Sequence, residues 1–199
     1  MLIMAASIEP ALARSELPRC ADSGGALALI EGVQKTNRKT AAKYDGYRKL
    51  LQDDTPLELA TRLAYAETIA ARCPDRESEV ADLIAAVIGN RIRIRGGDVE
   101  SVVFQRDQFS SSLNIYPESS YREFLCPRDR DRWREALAKM RANLEAPAAG
   151  SAIPNDAVNY YLHKHSKRFK APDWKLKEAQ VADVKTRGCI RVFRAPGWK

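Results

Sequence analysis

A mainly helical α+β fold with a small β-sheet is predicted by three observations on the 199-residue sequence. Apolar residues recur at helical spacing over most of the chain as far as Leu144, short β-prone runs occur at Val102–Phe104, Ala157–Leu162 and Cys189–Arg194, and no internal repeat or low-complexity tract calls for another architecture. A hydrophobic content of 45% is enough for a real core, and the length suits one domain with some decoration.

Residues 1–13 combine a short apolar run, a helix-breaking Pro10 and Ala11-Leu12-Ala13 as a small-x-small cleavage site. They read as the remnant of a secretory signal peptide whose positively charged start is missing. Residues 14–24 are polar and broken by Pro18 and Gly24, which predicts a loop. Ala26 to Val33 and Lys43 to Leu51 then place Leu27, Ile30, Tyr44, Tyr47 and Leu51 at helical spacing. Residues 14–56 are therefore expected to form an N-terminal helical extension without chemistry of its own, ahead of the main domain over 57–199.

The strongest helix start lies at Thr55. Its hydroxyl suits the cap position, Pro56 suits the first helical position because its missing N–H would go unpaired there, and Glu58 completes a capping box. With the register fixed at about 100° per residue, Leu57, Ala60, Leu63, Ala64 and Glu67 fall on one apolar stripe. Glu67 is thus expected to be partly desolvated, and burial keeps a carboxyl protonated closer to neutrality, as a general acid requires. The competing reading places Glu67 at the stripe's edge in a structural pair with Arg62 or Arg91.

Arg72-Cys73-Pro74-Asp75 should end that helix, and a second helix runs from about Arg76 to Arg95, stopping at Gly96-Gly97. Val80, Leu83, Ile84, Val87 and Ile88 give it a broad apolar face, and Asn90 and Arg91 are positioned to reach across to the Glu67 helix. Val102–Phe104 is predicted as a strand, with a polar, ligand-holding loop over residues 105–112. A third helix is predicted from about Asp131 to Leu144, with Trp133, Leu137, Met140 and Leu144 on its core face, followed by a linker over residues 146–151. Ala157–Leu162 and Cys189–Arg194 complete the sheet.

The formal charge of +7 predicts attraction to a polyanion: nucleic acid, anionic lipid or an acidic wall polymer. Basic residues are interspersed with acids, as in Arg128-Asp129-Arg130-Asp131-Arg132, without a basic block or nucleic-acid motif, so no nucleic-acid partner is expected. No apolar run beyond the N-terminus approaches the ~20 residues of a membrane span, so no stable membrane insertion is expected. Cys20, Cys73, Cys126 and Cys189 lack metal-ligand spacing and are left as disulfides, with three possible connectivities, or buried thiols. His163 and His165 have no carboxylate or cysteine neighbour and read as part of a solvated basic loop. Neither metal nor cofactor is expected.

The order of several short motifs resembles the spore-cortex-lytic-type cell wall hydrolases. They are the Ala64–Glu67 helix, the apolar helix ending in Asn90-Arg91, Val102–Ser110, Ala157–Trp174 with its Tyr160-Tyr161 pair, and Gly188–Arg194. The resemblance covers about residues 57–195. It implies a lysozyme-like or lytic-transglycosylase-like catalytic domain acting on the glycan strands of peptidoglycan; the signal remnant and the even cysteine count make a periplasmic or secreted location the expectation. The family's single essential glutamate falls on Glu67, its groove-lining segment on Gln105, Gln108, Phe109 and Ser110, and its Tyr-Tyr segment on Tyr160 and Tyr161. Two departures stand out: the turn after Glu67 is longer than the family's and contains Cys73, and Asn159 stands where histidine is frequent.

Glycan cleavage needs a proton on the departing oxygen and stabilisation of an oxocarbenium-like centre. Glu67 would supply the proton, and Glu79 and Asp107 are candidates for a second carboxylate, each also readable as structural. A single-acid route, in which Glu67 then draws the sugar's own C6 hydroxyl onto the anomeric carbon, fits better and makes the enzyme a lytic transglycosylase. A hydrolytic muramidase, or a silent peptidoglycan-binding protein, is the alternative. In a toxin role, a proteinaceous inhibitor or immunity protein would be a further partner.

Overall fold

Thr55 begins the helix around which the chain packs. In the computed structural model, which describes residues 16–21, 28, 41–105, 108–113, 120–145, 153–162, 180–184 and 189–194, helix α1 spans Ala41–Leu50 and α2 spans Pro56–Ala71. For residues 41–43, 110, 111, 159, 161, 162 and 180–184 the backbone path alone is described. The capping box forms as the sequence predicts: Glu58 N–H donates to the Thr55 hydroxyl at 3.2 Å, and Thr55 N–H donates to the Glu58 carboxylate at 2.9 Å. Helix α2 ends at Arg72, whose left-handed backbone (φ 50°) returns its N–H to Ile69. Its burial exceeds the predicted stripe. Nearly every residue from Leu59 to Ala71 is buried, because an alanine-rich helix can be covered on all sides.

After a single 3₁₀ turn at Pro74–Arg76, helix α3 (Glu77–Ile94) crosses α2 and closes at Gly96 and Gly97, both at positive φ, with Gly97 N–H returning to Ile92 at 2.9 Å. Helix α4 (Val99–Val103) replaces the strand expected at Val102–Phe104. The Asp98 carboxylate caps it by accepting from Ser101 N–H at 2.9 Å, and Val99, Val102 and Val103, at i, i+3 and i+4, are all buried. Helical spacing on a capped turn overrides the β-preference of valine.

Short helices α5 (Ser110–Leu113) and α6 (Tyr121–Leu125) lead to α7 (Arg130–Glu145), within a residue or so of its predicted bounds. The Asp129 side chain accepts from Asp131 and Arg132 N–H, both at 3.1 Å. The Tyr65 hydroxyl accepts from the N–H groups of Arg128 and Asp129 at 3.2 and 3.1 Å, and its ring meets Trp133 edge-on at 6.2 Å. Helix α7 lies so close to α3 that a Cβ at Gly89 would stand 3.0 Å from that of Asn143.

The sheet is antiparallel, in the order β1 (Ala157–Leu162), β3 (Ile190–Arg194), β2 (Gln180–Val184). Strand β2 is absent from the sequence prediction; Gln-Val-Ala-Asp-Val carries neither a turn signal nor a clear alternation. With α4 in place of a predicted strand and β2 added, the fold remains mainly helical α+β. The early segment shares this core: Ala21, Tyr44, Tyr47 and Leu51 are buried in one cluster with α2 and α3. Disulfides join Cys20 to Cys126 and Cys73 to Cys189. No helix among the described residues is long and apolar enough to cross a membrane. Both features are compatible with an extracellular or periplasmic location. The expected signal remnant, the histidine loop and the 146–151 linker lie outside the described residues, as does the predicted helix over 26–33 apart from residue 28.

Arg62 ties these parts together. It is fully buried; it pairs with the Asp54 carboxylate and donates to the carbonyls of Arg19 at 2.6 Å, Leu125 at 2.8 Å and Phe124 at 3.3 Å. Glu67 is therefore not its partner. Arg62→Ala would strand the Asp54 charge and three carbonyls, and should cost ~3–5 kcal/mol in urea denaturation, with Arg62→Lys recovering little because an ammonium cannot span the same fork.

Candidate active site

Glu67 is 1% exposed, and two hydroxyls from distant parts of the chain close on its carboxyl group. Ser112 donates its hydroxyl to Oε1 and Tyr160 donates to Oε2, both at 2.6 Å. The Ser112 Oγ also lies 3.2 Å from that of Ser120. With the Ser112 proton directed at the carboxylate, the proton between the two serines comes from Ser120. When Glu67 is protonated it becomes the donor, and Ser112 is free to turn its proton toward Ser120. The group is satisfied in either state.

Local sequence explains how these side chains arrive. Phe109 adopts φ 48°, and its carbonyl accepts from the N–H groups of Ser112 and Leu113 at 3.0 Å, which starts α5 and turns Ser112 inward. In β1 the register slips between Ala157 and Asn159, so that Ala157 and Val158 are both buried before normal pairing resumes with Asn159 opposite Phe193 and Tyr160 opposite Val192. The last turns of α3 hold that strand. Asn90 Nδ2 donates to the carbonyls of Pro154 at 2.9 Å and Ala157 at 2.8 Å, while Arg91 Nε donates to Val158. Asn90 and Arg91 thus bind the strand backbone, where the sequence reading has them reaching for the Glu67 helix.

Electrostatics follow from burial. Desolvation raises the Glu67 pKa above its ordinary value, an effect opposed by the Ser112 and Tyr160 hydrogen bonds and by the Arg91 charge. Tyr160 is raised well above the usual phenol value, first by burial and then by the neighbouring Glu67. Burial lowers Arg91 to about 10, against the pull of Tyr160 and Glu67. At neutral pH Tyr160 therefore keeps its proton and Arg91 its charge, while the Glu67 carboxyl holds its proton more tightly than an exposed glutamate does.

The structure brings Glu67, Tyr160 and Phe109 together from the predicted set. Phe109 is buried, its ring 6.4 Å from that of Tyr160 and beneath the Arg91 guanidinium at 4.7 Å, so it builds the wall of the site. Gln105 and Gln108 are half-buried and close a turn, Gln108 N–H donating to the Gln105 carbonyl at 3.3 Å. The Gln105 Oε1 is buried without a hydrogen-bond partner among the described residues. Ser110, Asn159 and Tyr161 are placed by backbone alone. Of the second-acid candidates, Glu79 pairs with Arg76 near the surface and Asp107 lies outside the described residues. Ser112 and Ser120 are the additions that sequence reading misses. Ser112 stands third in a Ser-Ser-Ser run whose backbone phase only the fold reveals, and Ser120 carries no signal.

No group of three His, Cys, Asp or Glu side chains suited to a metal occurs among the described residues. A surface recess of about 530 Å³ lies between the start of α2 and the α3–α4 turn, lined by Arg48, Leu59, Asp98 and Ser101 among others. Leu59 and Glu67 are separated by roughly 12 Å along α2, so this recess is not the Glu67 site.

The raised pKa makes a signed stability prediction. Glu67 binds its proton more tightly in the folded chain, so its contribution is fully present below the ordinary value of 4.5 and is lost as pH rises through the raised folded value. Glu67→Gln should remove that dependence. The variant's stability relative to the native sequence, followed by urea denaturation across pH, should rise from acid toward neutrality; a constant difference would contradict the shift.

No family model, curated protein or solved structure was found to match this chain, and the reading of its chemistry rests on the residues around Glu67.

Proposed function

We propose that the protein cleaves peptidoglycan glycan strands between N-acetylmuramic acid and N-acetylglucosamine as a lytic transglycosylase, with Glu67 as the single general acid and base. The observation that carries this reading is a buried carboxyl of raised proton affinity held by two hydroxyls, in the helix that the ordered motifs mark for that role. Such a group suits proton delivery near neutral pH.

In the proposed reaction Ser112 turns toward Ser120 and frees Oε1. The Glu67 proton passes to the glycosidic oxygen, the C1–O bond breaks, and positive charge develops at the ring. The resulting Glu67 carboxylate, still bonded to the Tyr160 hydroxyl, removes the proton from the C6 hydroxyl as its oxygen closes on C1. A 1,6-anhydro end and a regenerated acid result. The +7 charge favours an anionic wall polymer.

The 1% exposure of Glu67 favours a second reading, a catalytically silent peptidoglycan-binding protein in which the acid is structural. Incubation with purified peptidoglycan and mass spectrometry of the released muropeptides separates the two. Anhydro ends are expected, with loss of ~10²–10⁴-fold in Glu67→Gln and of ~10–100-fold in Tyr160→Phe, the range for a hydrogen bond to a charged group. Reducing ends would make the enzyme a muramidase; retention on the polymer without release would support the silent reading. Activity should also fall as salt is added.

A further inference from the structure

Four observations converge on Arg91. It is 4% exposed; its Nε donates to the Val158 carbonyl two residues before Tyr160; its guanidinium lies 4.7 Å over the ring of Phe109; and that ring leans against Tyr160 at 6.4 Å. Tyr160 in turn donates to Glu67 at 2.6 Å. One cation therefore supports both the strand and the aromatic wall that carry the acid's hydrogen-bond donor.

Two other ionisable groups on the Glu67 helix are directed elsewhere. Arg62, on α2 itself, is taken by Asp54. Tyr65 points to the start of α7, where Glu123 and Asp129 act on it. Helix α5 presents the Ser112 hydroxyl to Glu67, backed by Ser120. The groups acting most strongly on the carboxyl are thus Ser112, Tyr160 from β1 and Arg91 from α3.

General acid–base chemistry by one residue requires Glu67 to exist as a carboxylate midway through the reaction. A fully desolvated carboxylate is costly unless a cation lies near it. Building on the proposed function, we infer that Arg91 is a positioning residue that holds Tyr160 against Glu67 through Phe109 and Val158 and supplies the fixed positive charge that makes the carboxylate stage reachable. The reacting atoms are not its contact. Its effect is exerted through Glu67.

Charge and shape are separated by two variants. Arg91→Gln can still donate to the Val158 carbonyl but is neutral; Arg91→Lys keeps the charge. In the muropeptide assay across pH, Glu67 must be protonated at rest, so activity falls on the alkaline side as it ionises. Arg91→Gln should move that alkaline limb upward and lower the plateau kcat by ~10–100-fold, while Arg91→Lys leaves the limb near its native position. Equal losses in both variants with an unmoved limb would overturn the inference, since a merely structural residue behaves that way.

A second measurement does not need turnover. Carboxyl ¹³C resonances should show Glu67 titrating at higher pH in Arg91→Gln than in the native protein and in Arg91→Lys. In the unsubstituted protein the Arg91 Nε and Cζ resonances should follow the Glu67 titration with the same midpoint. Arg91 resonances that ignore that midpoint refute the coupling even if the variants fail to fold. Coupling without muropeptide release would refute the enzyme reading and leave the electrostatic link standing.

Discussion

A carboxyl group cannot stand unpartnered in an apolar core, and the placement of Glu67 in the middle of a helix covered on nearly every side imposes that constraint on the rest of the chain. Ser112 must come from 45 residues downstream and Tyr160 from 93. The turn at Phe109, the register slip in β1 and the clamp from Asn90 and Arg91 are the local means by which those two hydroxyls arrive.

The same helix buries a second charge five positions earlier and treats it differently. Arg62 finds a carboxylate and three carbonyls, which leaves its charge fully compensated. Glu67 finds neutral hydroxyls and a cation acting through space. The first is met by an opposite charge in direct contact, and the second holds its proton more tightly than an exposed glutamate does. That contrast distinguishes the two surroundings where burial does not, because burial is nearly the same for both.

Legibility in the sequence followed the range of the interactions. The Thr55–Glu58 cap, the glycine stop after α3 and the bounds of α7 depend on neighbours within a few residues, and the sequence displays them. Val99, Val102 and Val103 show how local signals compete: their composition favours a strand, their spacing a helix, and the Asp98 cap decides. Glu67 is legible because cap register and apolar stripe fix its direction. Its partners are less so. Tyr160 is marked only as one of two adjacent tyrosines, and in the run of three serines the sequence marks Ser110 where the structure uses Ser112, since which member faces the acid depends on a strand bulge and a left-handed residue that leave no compositional trace. Arg62 pairs with Asp54 just ahead of its own helix cap, but its three carbonyls belong to segments brought near only by folding.

The two disulfides interleave along the chain, one joining Cys20 to Cys126 and the other Cys73 to Cys189. Any single backbone scission between Cys20 and Cys189 falls inside at least one of these closed loops, so both fragments stay attached as one covalent molecule. Such a chain can be nicked in an exposed connection and still hold Glu67, Ser112 and Tyr160 on the same particle.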